Sequence, residues 1–177
     1  MGDPIPTAKY TEEEHQLWRL LYPKLRKGVR EHGTKEFNRG FEKLEDHRIF
    51  TYEKIPDLEE VNQFLQKEQN WRFKMAGGSI DQREFLNLQA FRASTCTQYI
   101  RHPSDPYFTP VPDIIHELCG HVPMVLDDDY ANFNQQIGML SLGATETQLK
   151  ILAAIYWYTS EFGVVYEDNK RKFYGAG

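Results

Sequence analysis

Thr11-Glu12-Glu13-Glu14 opens a stretch with few conformations open to it besides helix. The Thr11 hydroxyl can accept a free amide of the first turn while Glu14 reaches back to the Thr11 amide, a reciprocal cap. Leu17, Trp18, Leu21, Leu25 and Val29 then recur at helical spacing. Gly33 ends the run, and Pro23 inside it should kink or split the helix, because proline lacks the amide that the ladder needs. The same punctuation recurs down the chain. Thr34 precedes Phe37, Phe41 and Leu44, and Pro56-Asp57 precedes Leu58, Val61, Phe64 and Leu65. Further helices are expected from Asp81 to Phe91, from Asp113 to about Gly120, and from Asp128 to Leu142. Thr145 and Gln148 form a second reciprocal cap before a long helix from Glu146 to Phe162.

The β signals are short. Trp71 to Met75 alternates and runs into the Gly77-Gly78 turn, Thr95 to Ile100 is β-like, and Val164–Tyr166 with Arg171–Tyr174 reads as a hairpin about Asp168-Asn169. Four prolines between Pro103 and Pro112 make that stretch a loop. No repeat, low-complexity tract or Gly/Ser linker interrupts the chain, so residues 1–177 are expected to form one unit. The expected fold is mostly α with small β elements, of the α+β class.

Composition narrows the partners. A net charge of −5 argues against nucleic acid, which needs a basic face. No apolar run is long enough to span a bilayer, and the first residues lack the pattern of a signal peptide. Cys96 and Cys119 form no metal-type pair and no disulfide framework, which suits a reducing, cytoplasmic location. Cys119 reads as a small buried filler.

Chemistry concentrates at His116-Glu117-Leu118-Cys119-Gly120-His121. Histidines five apart turn by about 500° on a straight α-helix, about 140° out of register. A zinc peptidase, which needs the four-residue step, is therefore disfavoured. Gly120 and Pro123 both break helices, so a helix ending at Gly120 would free His121 to swing back toward an ion faced by His116. Glu161 closes a run that is otherwise apolar or aromatic, Ile151 to Tyr158, where a carboxylate is costly to bury unless something positive meets it. Ala153, Trp157 and Glu161 share one stripe at four-residue steps, with Tyr156 beside it. Two histidines and one carboxylate make the facial triad of non-haem iron(II) oxygenases. The same residues also read as polar helix ends, with Tyr156 and Trp157 as core aromatics, and the local pattern leaves both readings open.

Longer blocks carry a resemblance. Pro112 to Pro123, PDIIHELCGHVP, is similar to the signature of the phenylalanine, tyrosine and tryptophan hydroxylases. CTQYIRH from Cys96, IGMLSLGA from Ile137, IYWYTSEFG from Ile155 and YGAG from Tyr174 match further blocks of that family in order, so the similarity runs from about Ile5 to the last residue. The resemblance implies a monooxygenase that uses iron(II), tetrahydrobiopterin and dioxygen to hydroxylate an aromatic amino acid. It implies His116, His121 and Glu161 as iron ligands, and Gly78, Phe85, Glu117, Ala153 and Tyr156 as pterin contacts, with Glu117 and Tyr156 closest to the chemistry. Arg101 would grip the amino acid carboxylate, and Thr109, His116, Trp157, Phe162 and Gly177 would line the substrate pocket.

The chain also departs from the family pattern. Ser79 replaces an aliphatic residue in the pterin loop, and Thr95 replaces a His or Gln. Relative to the family, the sequence lacks a regulatory domain, a tetramerisation helix and the segments flanking this core, so a monomer and a truncated, catalytically impaired species are both expectations. Trp157 favours phenylalanine or tyrosine as substrate, whereas Ser104-Asp105-Pro106 resembles the tryptophan enzymes. Phenylalanine is the expected substrate.

Overall fold

The computed structural model describes residues 5–78 and 80–177. Ser79, flagged above as a departure in the pterin loop, lies outside the described residues. Helices dominate, as expected, and the two sheets are two-stranded.

Helix α1 (Glu12–His32) starts on the Thr11/Glu14 reciprocal cap and continues through Pro23 as one element, so the expected split does not occur. Burial on both sides of the proline, by Leu17, Trp18 and Leu21 before it and Arg26 and Val29 after it, outweighs a local penalty of about 3 kcal/mol. Helices α2 (Lys35–Asp46) and α3 (Leu58–Gln69) start at Thr34 and Asp57, whose side chains accept first-turn amides. Trp18 stacks on Tyr22 at 4.9 Å and donates its indole N–H to the Thr51 carbonyl at 2.9 Å, so this large aromatic is buried without an orphaned donor.

Strand β1 (Arg72–Met75) pairs in parallel with β2 (Ala93–Cys96), with α4 (Gln82–Gln89) crossing between them. Buried Asn62 of α3 completes β1 from the side, accepting the Phe73 amide at 2.7 Å and donating to the Phe73 carbonyl at 2.9 Å. The second strand thus begins and ends earlier than the Thr95–Ile100 expectation. Its register is set by β1, and after Ala76, whose amide bonds the Cys96 carbonyl at 2.9 Å, no described residue of the glycine turn continues the ladder.

The next elements are a π-helical turn, π1 (His116–His121), α5 (Val122–Val125), α6 (Asp128–Ser141), α7 (Glu146–Tyr156) and a second π turn, π2 (Trp157–Glu161). The chain ends in the hairpin β3 (Val164–Glu167) and β4 (Lys170–Phe173), whose corner residues Asp168 and Asn169 have φ of 50° and 60°. Those left-handed angles are the ones a tight two-residue hairpin requires.

Two apolar clusters result. The larger gathers α1, α2, α3, β1 and the buried side of π1, including Trp18, Phe41, Trp71 and Leu118. The smaller joins Leu86, Ile137, Leu149 and Leu152, with Phe85, Ala153 and Tyr156 packed against it. Among the described residues, no helix is long and apolar enough to cross a membrane.

Candidate metal centre

The helix expected to stop at Gly120 does not stop; it widens. His116–His121 forms a π turn and passes directly into α5. A turn that closes from residue i to i+5 returns a side chain five positions on to the same side of the axis. This geometry, and not a freed helix end, brings His116 and His121 together, with their Nε2 atoms 3.2 Å apart. The long helix expected from Glu146 to Phe162 changes in the same way. It is α only to Tyr156 and then π, with the Phe162 amide bonded to the Trp157 carbonyl at 3.0 Å. The second wide turn presents Glu161, whose Oε1 lies 3.3 Å from His116 Nε2 and whose Oε2 lies 3.6 Å from His121 Nε2.

Each of the three residues offers one ligand atom, and these atoms all lie within 4.8 Å of one another. Burial lowers the His116 imidazole, with Arg101 adding to the effect and Asp113 opposing it. Burial, assisted by His116, pushes His121 down to about 3, and burial pushes Glu161 up to about 7. Both imidazoles are thus neutral with free lone pairs near pH 7. Beside them, the Glu161 carboxylate meets no Lys or Arg among the described residues. That donor set fits a divalent ion of the kind bound by two histidines and a carboxylate.

The triad lines a cavity of about 340 Å³, which also touches Leu86, Phe85, Ala153 and Tyr156 of the smaller apolar cluster. Gly78, Phe85, Glu117, Ala153, Tyr156 and Trp157 line it, as does Thr95. Phe85 meets Tyr156 edge-on at 5.0 Å. Burial pushes the Glu117 carboxyl up to about 8, with the Glu161 and Asp113 carboxylates adding to it and the Thr97 amide opposing. A protonated Glu117 can donate a hydrogen bond as well as accept one. Tyr156 is held well above the usual phenol range by burial and stays protonated.

Arg101, Thr109, Phe162 and Gly177 lie outside the cavity wall. Arg101 is engaged by Asp113, donating from Nε to Oδ2 and from Nη2 to Oδ1, both at 2.8 Å. Thr109 turns its hydroxyl to the Val111 carbonyl at 2.5 Å. Phe162 leans on Trp157, ring centres 4.7 Å apart, and Gly177 packs against Phe162 while its amide bonds the Glu161 carbonyl at 2.7 Å.

Sequence reasoning missed Thr97, Tyr99 and Pro112, which also line the cavity. The Thr97 and Tyr99 hydroxyls donate to the same Pro112 carbonyl, at 3.1 Å and 2.5 Å. The only signal available was their place, two residues apart, in the CTQYIRH block.

Comparison with known proteins identifies the family. The family model described as biopterin-dependent aromatic amino acid hydroxylase matches residues 1–177. Phenylalanine-4-hydroxylase of Rattus norvegicus is 47% identical over 176 residues, 99% of this chain and 39% of the rat protein. Tyrosine 3-monooxygenase of Drosophila melanogaster is 41% identical over 176 residues, and the chain covers 30% of it. The chain therefore spans well under half the length of these relatives. Among solved structures, the apo phenylalanine hydroxylase of Colwellia psychrerythraea superposes with a TM-score of 0.89 at 27% identity, covering 96% of this chain and 63% of that one. The Chromobacterium violaceum phenylalanine hydroxylase with bound iron(III) and 7,8-dihydrobiopterin gives a TM-score of 0.88 at 29% identity, over 98% of this chain and 63% of that one. With the family model matching residues 1–177 and the rat relative aligned over 99% of the chain, the chain belongs to the biopterin-dependent aromatic amino acid hydroxylase family.

Proposed function

We propose that this chain binds iron(II) through His116, His121 and Glu161 and tetrahydrobiopterin in the adjoining cavity, and hydroxylates an aromatic amino acid, phenylalanine to tyrosine. The observation that carries the reading is the convergence of three ligand atoms, from buried His121 and partly buried His116 and Glu161, on the wall of a largely apolar cavity. Bound together, iron(II) and the pterin would supply the dioxygen-activating chemistry.

The chain's own residues bind, orient and exclude water. Phe85 offers a face for a planar pterin ring. Glu117, protonated at neutral pH, can hydrogen-bond the polar edge of that ring, and Gly78, Ala153 and Tyr156 complete its surroundings. Trp157 gives a flat wall for the substrate ring. Arg101, with two donors spent on Asp113, keeps Nη1 outside that pair, and this N–H is the one we assign to the amino acid carboxylate. Thr109, Phe162 and Gly177 would then shape the outer part of the substrate pocket. Trp157 favours phenylalanine or tyrosine over tryptophan, and phenylalanine is favoured over tyrosine by the greater identity to the rat phenylalanine hydroxylase than to the fly tyrosine enzyme.

Anaerobic titration with iron(II) should give one site per chain. Incubation with tetrahydrobiopterin, dioxygen and each aromatic amino acid should then give tyrosine from phenylalanine. Iron binding in a His116→Ala variant as tight as in the parent would overturn the ligand assignment.

A second reading, iron and pterin binding without turnover by this chain alone, draws on one observation. Ile151, Ile155 and Tyr158 on the outer side of α7 and π2 are 56%, 41% and 74% exposed, a large apolar face for one helix. Tight iron binding with no product from any of the three amino acids would favour it.

A further inference from the structure

The wide turn that carries Glu161 ends with carbonyls that its own helix cannot satisfy. Residues Tyr174–Gly177, which follow β4, lie against it and supply the donors. The Tyr174 and Gly175 amides bond the Gly163 carbonyl at 3.0 Å and 3.2 Å, the Ala176 amide bonds the Ser160 carbonyl at 3.2 Å, and the Gly177 amide bonds the Glu161 carbonyl at 2.7 Å. The approach is close enough to require glycine. A Cβ at Gly175 would stand 2.4 Å from both the Glu161 carbonyl oxygen and the Gly163 amide nitrogen.

The same segment also touches the other wide turn, through Ala176. A Cβ on Gly120, which sits between Cys119 and His121 in π1, would lie 2.7 Å from the Ala176 Cβ and 3.1 Å from its Cα and carbonyl oxygen. One short segment is thus bonded to the backbone of Glu161 and packed against the residue preceding His121. These two ligands come from turns separated by α5, α6 and α7.

We propose that Tyr174–Gly177 is a positioning strap for the metal centre. It fixes π2 relative to π1, so the distance between the Glu161 carboxylate and the two imidazoles is set by the Ala176–Gly120 contact and by the amides of Ala176 and Gly177. Ala176, Gly175 and Gly120 touch neither the metal nor the cavity and act through the ligands. This inference rests on the proposed ligand set.

The test uses cobalt(II) on the full chain, because its visible absorption reports ligand geometry without turnover. Gly120→Ala should weaken cobalt(II) binding by about tenfold or more, as loss of supporting contacts around a metal site does, and should alter the absorption envelope. Adding Ala176→Gly removes the colliding Cβ and should restore much of both. Gly175→Ala, which acts on π2 alone, should weaken binding without rescue by Ala176→Gly.

Gly138→Ala is the structural control. Its Cβ would stand 2.0 Å from the Ala90 amide where α6 crosses the end of α4, so it should lower stability yet leave the cobalt spectrum unchanged. Parent-like cobalt binding in both Gly120→Ala and Gly175→Ala, with binding lost in His116→Ala, would overturn the strap and spare the ligand set. Parent-like binding in His116→Ala would overturn the ligand set itself. Should Gly120→Ala fail to fold, Gly175→Ala and Ala176→Val carry the same readout from the strap side, and parent-like cobalt spectra in both would overturn the proposal.

Discussion

Arg101 and Asp113 face each other fork to fork, Nε to Oδ2 and Nη2 to Oδ1 at 2.8 Å each, with the aspartate side chain fully buried. The same carboxylate accepts the Arg101 amide at 2.8 Å and the His116 amide at 3.1 Å. One acidic side chain therefore ties the residue assigned to the substrate carboxylate to the start of the turn that presents the first imidazole.

Asp113→Asn keeps the shape and removes the charge, leaving a largely buried guanidinium without its counterion. Removing one partner of a buried pair costs about 3–5 kcal/mol, and urea denaturation should show a loss near the lower end because Arg101 retains some solvent contact. In turnover assays the KM for phenylalanine should rise more than that for the pterin. A loss of stability under about 1 kcal/mol would show that the pair behaves as an ordinary surface bridge.

The pair also sets a response to acid. Burial alone would raise the Asp113 carboxyl, but Arg101 and the amides of His116 and Arg101 outweigh it and hold it below its usual value. With an unfolded-state value of about 3.9, the group binds fewer protons folded than unfolded. Its contribution is complete above that pH and is lost as pH falls through the lower folded value. Stability of the parent should fall more steeply than that of Asp113→Asn between about pH 4 and 2. Equal slopes would remove Asp113 from the account.

Iron(II) should stabilise the chain by mass action, by about 2.7 kcal/mol at a free concentration a hundred times its Kd. Thermal melts under anaerobic conditions, with and without a chelator, measure this directly. Glu161→Gln should abolish the increment while leaving the metal-free melt near that of the parent or above it, since it removes a buried carboxylate that has no strong cationic partner.

Phe85→Ala should raise the KM for tetrahydrobiopterin by about fivefold, from lost ring contact of about 1 kcal/mol, with little change in that for phenylalanine. The Tyr156 edge contact would be lost as well. An equal rise for both would mean that the residue holds the cavity open and does not face the pterin.

Gly40→Ala tests how α5 is seated. Its Cβ would stand 2.0 Å from the Pro123 carbonyl oxygen, where α2 meets α5. Overpacking of this kind costs about 1–3 kcal/mol, and because Pro123 follows His121 by two residues, metal affinity should fall together with stability. A drop in melting temperature without any change in iron affinity would separate the two.

Helix starts were legible because their chemistry is local: the Thr11/Glu14 and Thr145/Gln148 caps form where the sequence places them, and the helices expected to open at Asp57 and Asp81 start on those side chains. The Asp168-Asn169 corner was legible for the same reason. The two π turns were not, because no side-chain preference marks a ladder that shifts from four to five residues. The shift follows from packing π1 into the larger cluster and from the bonds that Tyr174–Gly177 makes to π2. The position of β2 depended on its partner's length, which Ala93–Cys96 alone does not encode. Arg101 carried a family role, yet its engagement by Asp113 is a tertiary fact that neither residue announces. Thr97 and Tyr99 likewise gain their purpose only where the Pro112 carbonyl arrives between them.

The wide turn at His116–His121 also makes this gene tolerant of a particular lesion. Loss of one codon between those for Glu117 and Gly120 would let the stretch settle as ordinary α-helix, with the imidazoles four apart and still on one side. Four residues of α-helix sweep nearly the angle of five in the wide turn, so Pro123 would keep its place against Gly40. A three-base deletion there should consequently be less damaging than one inside α6, where no wide turn absorbs the change of register.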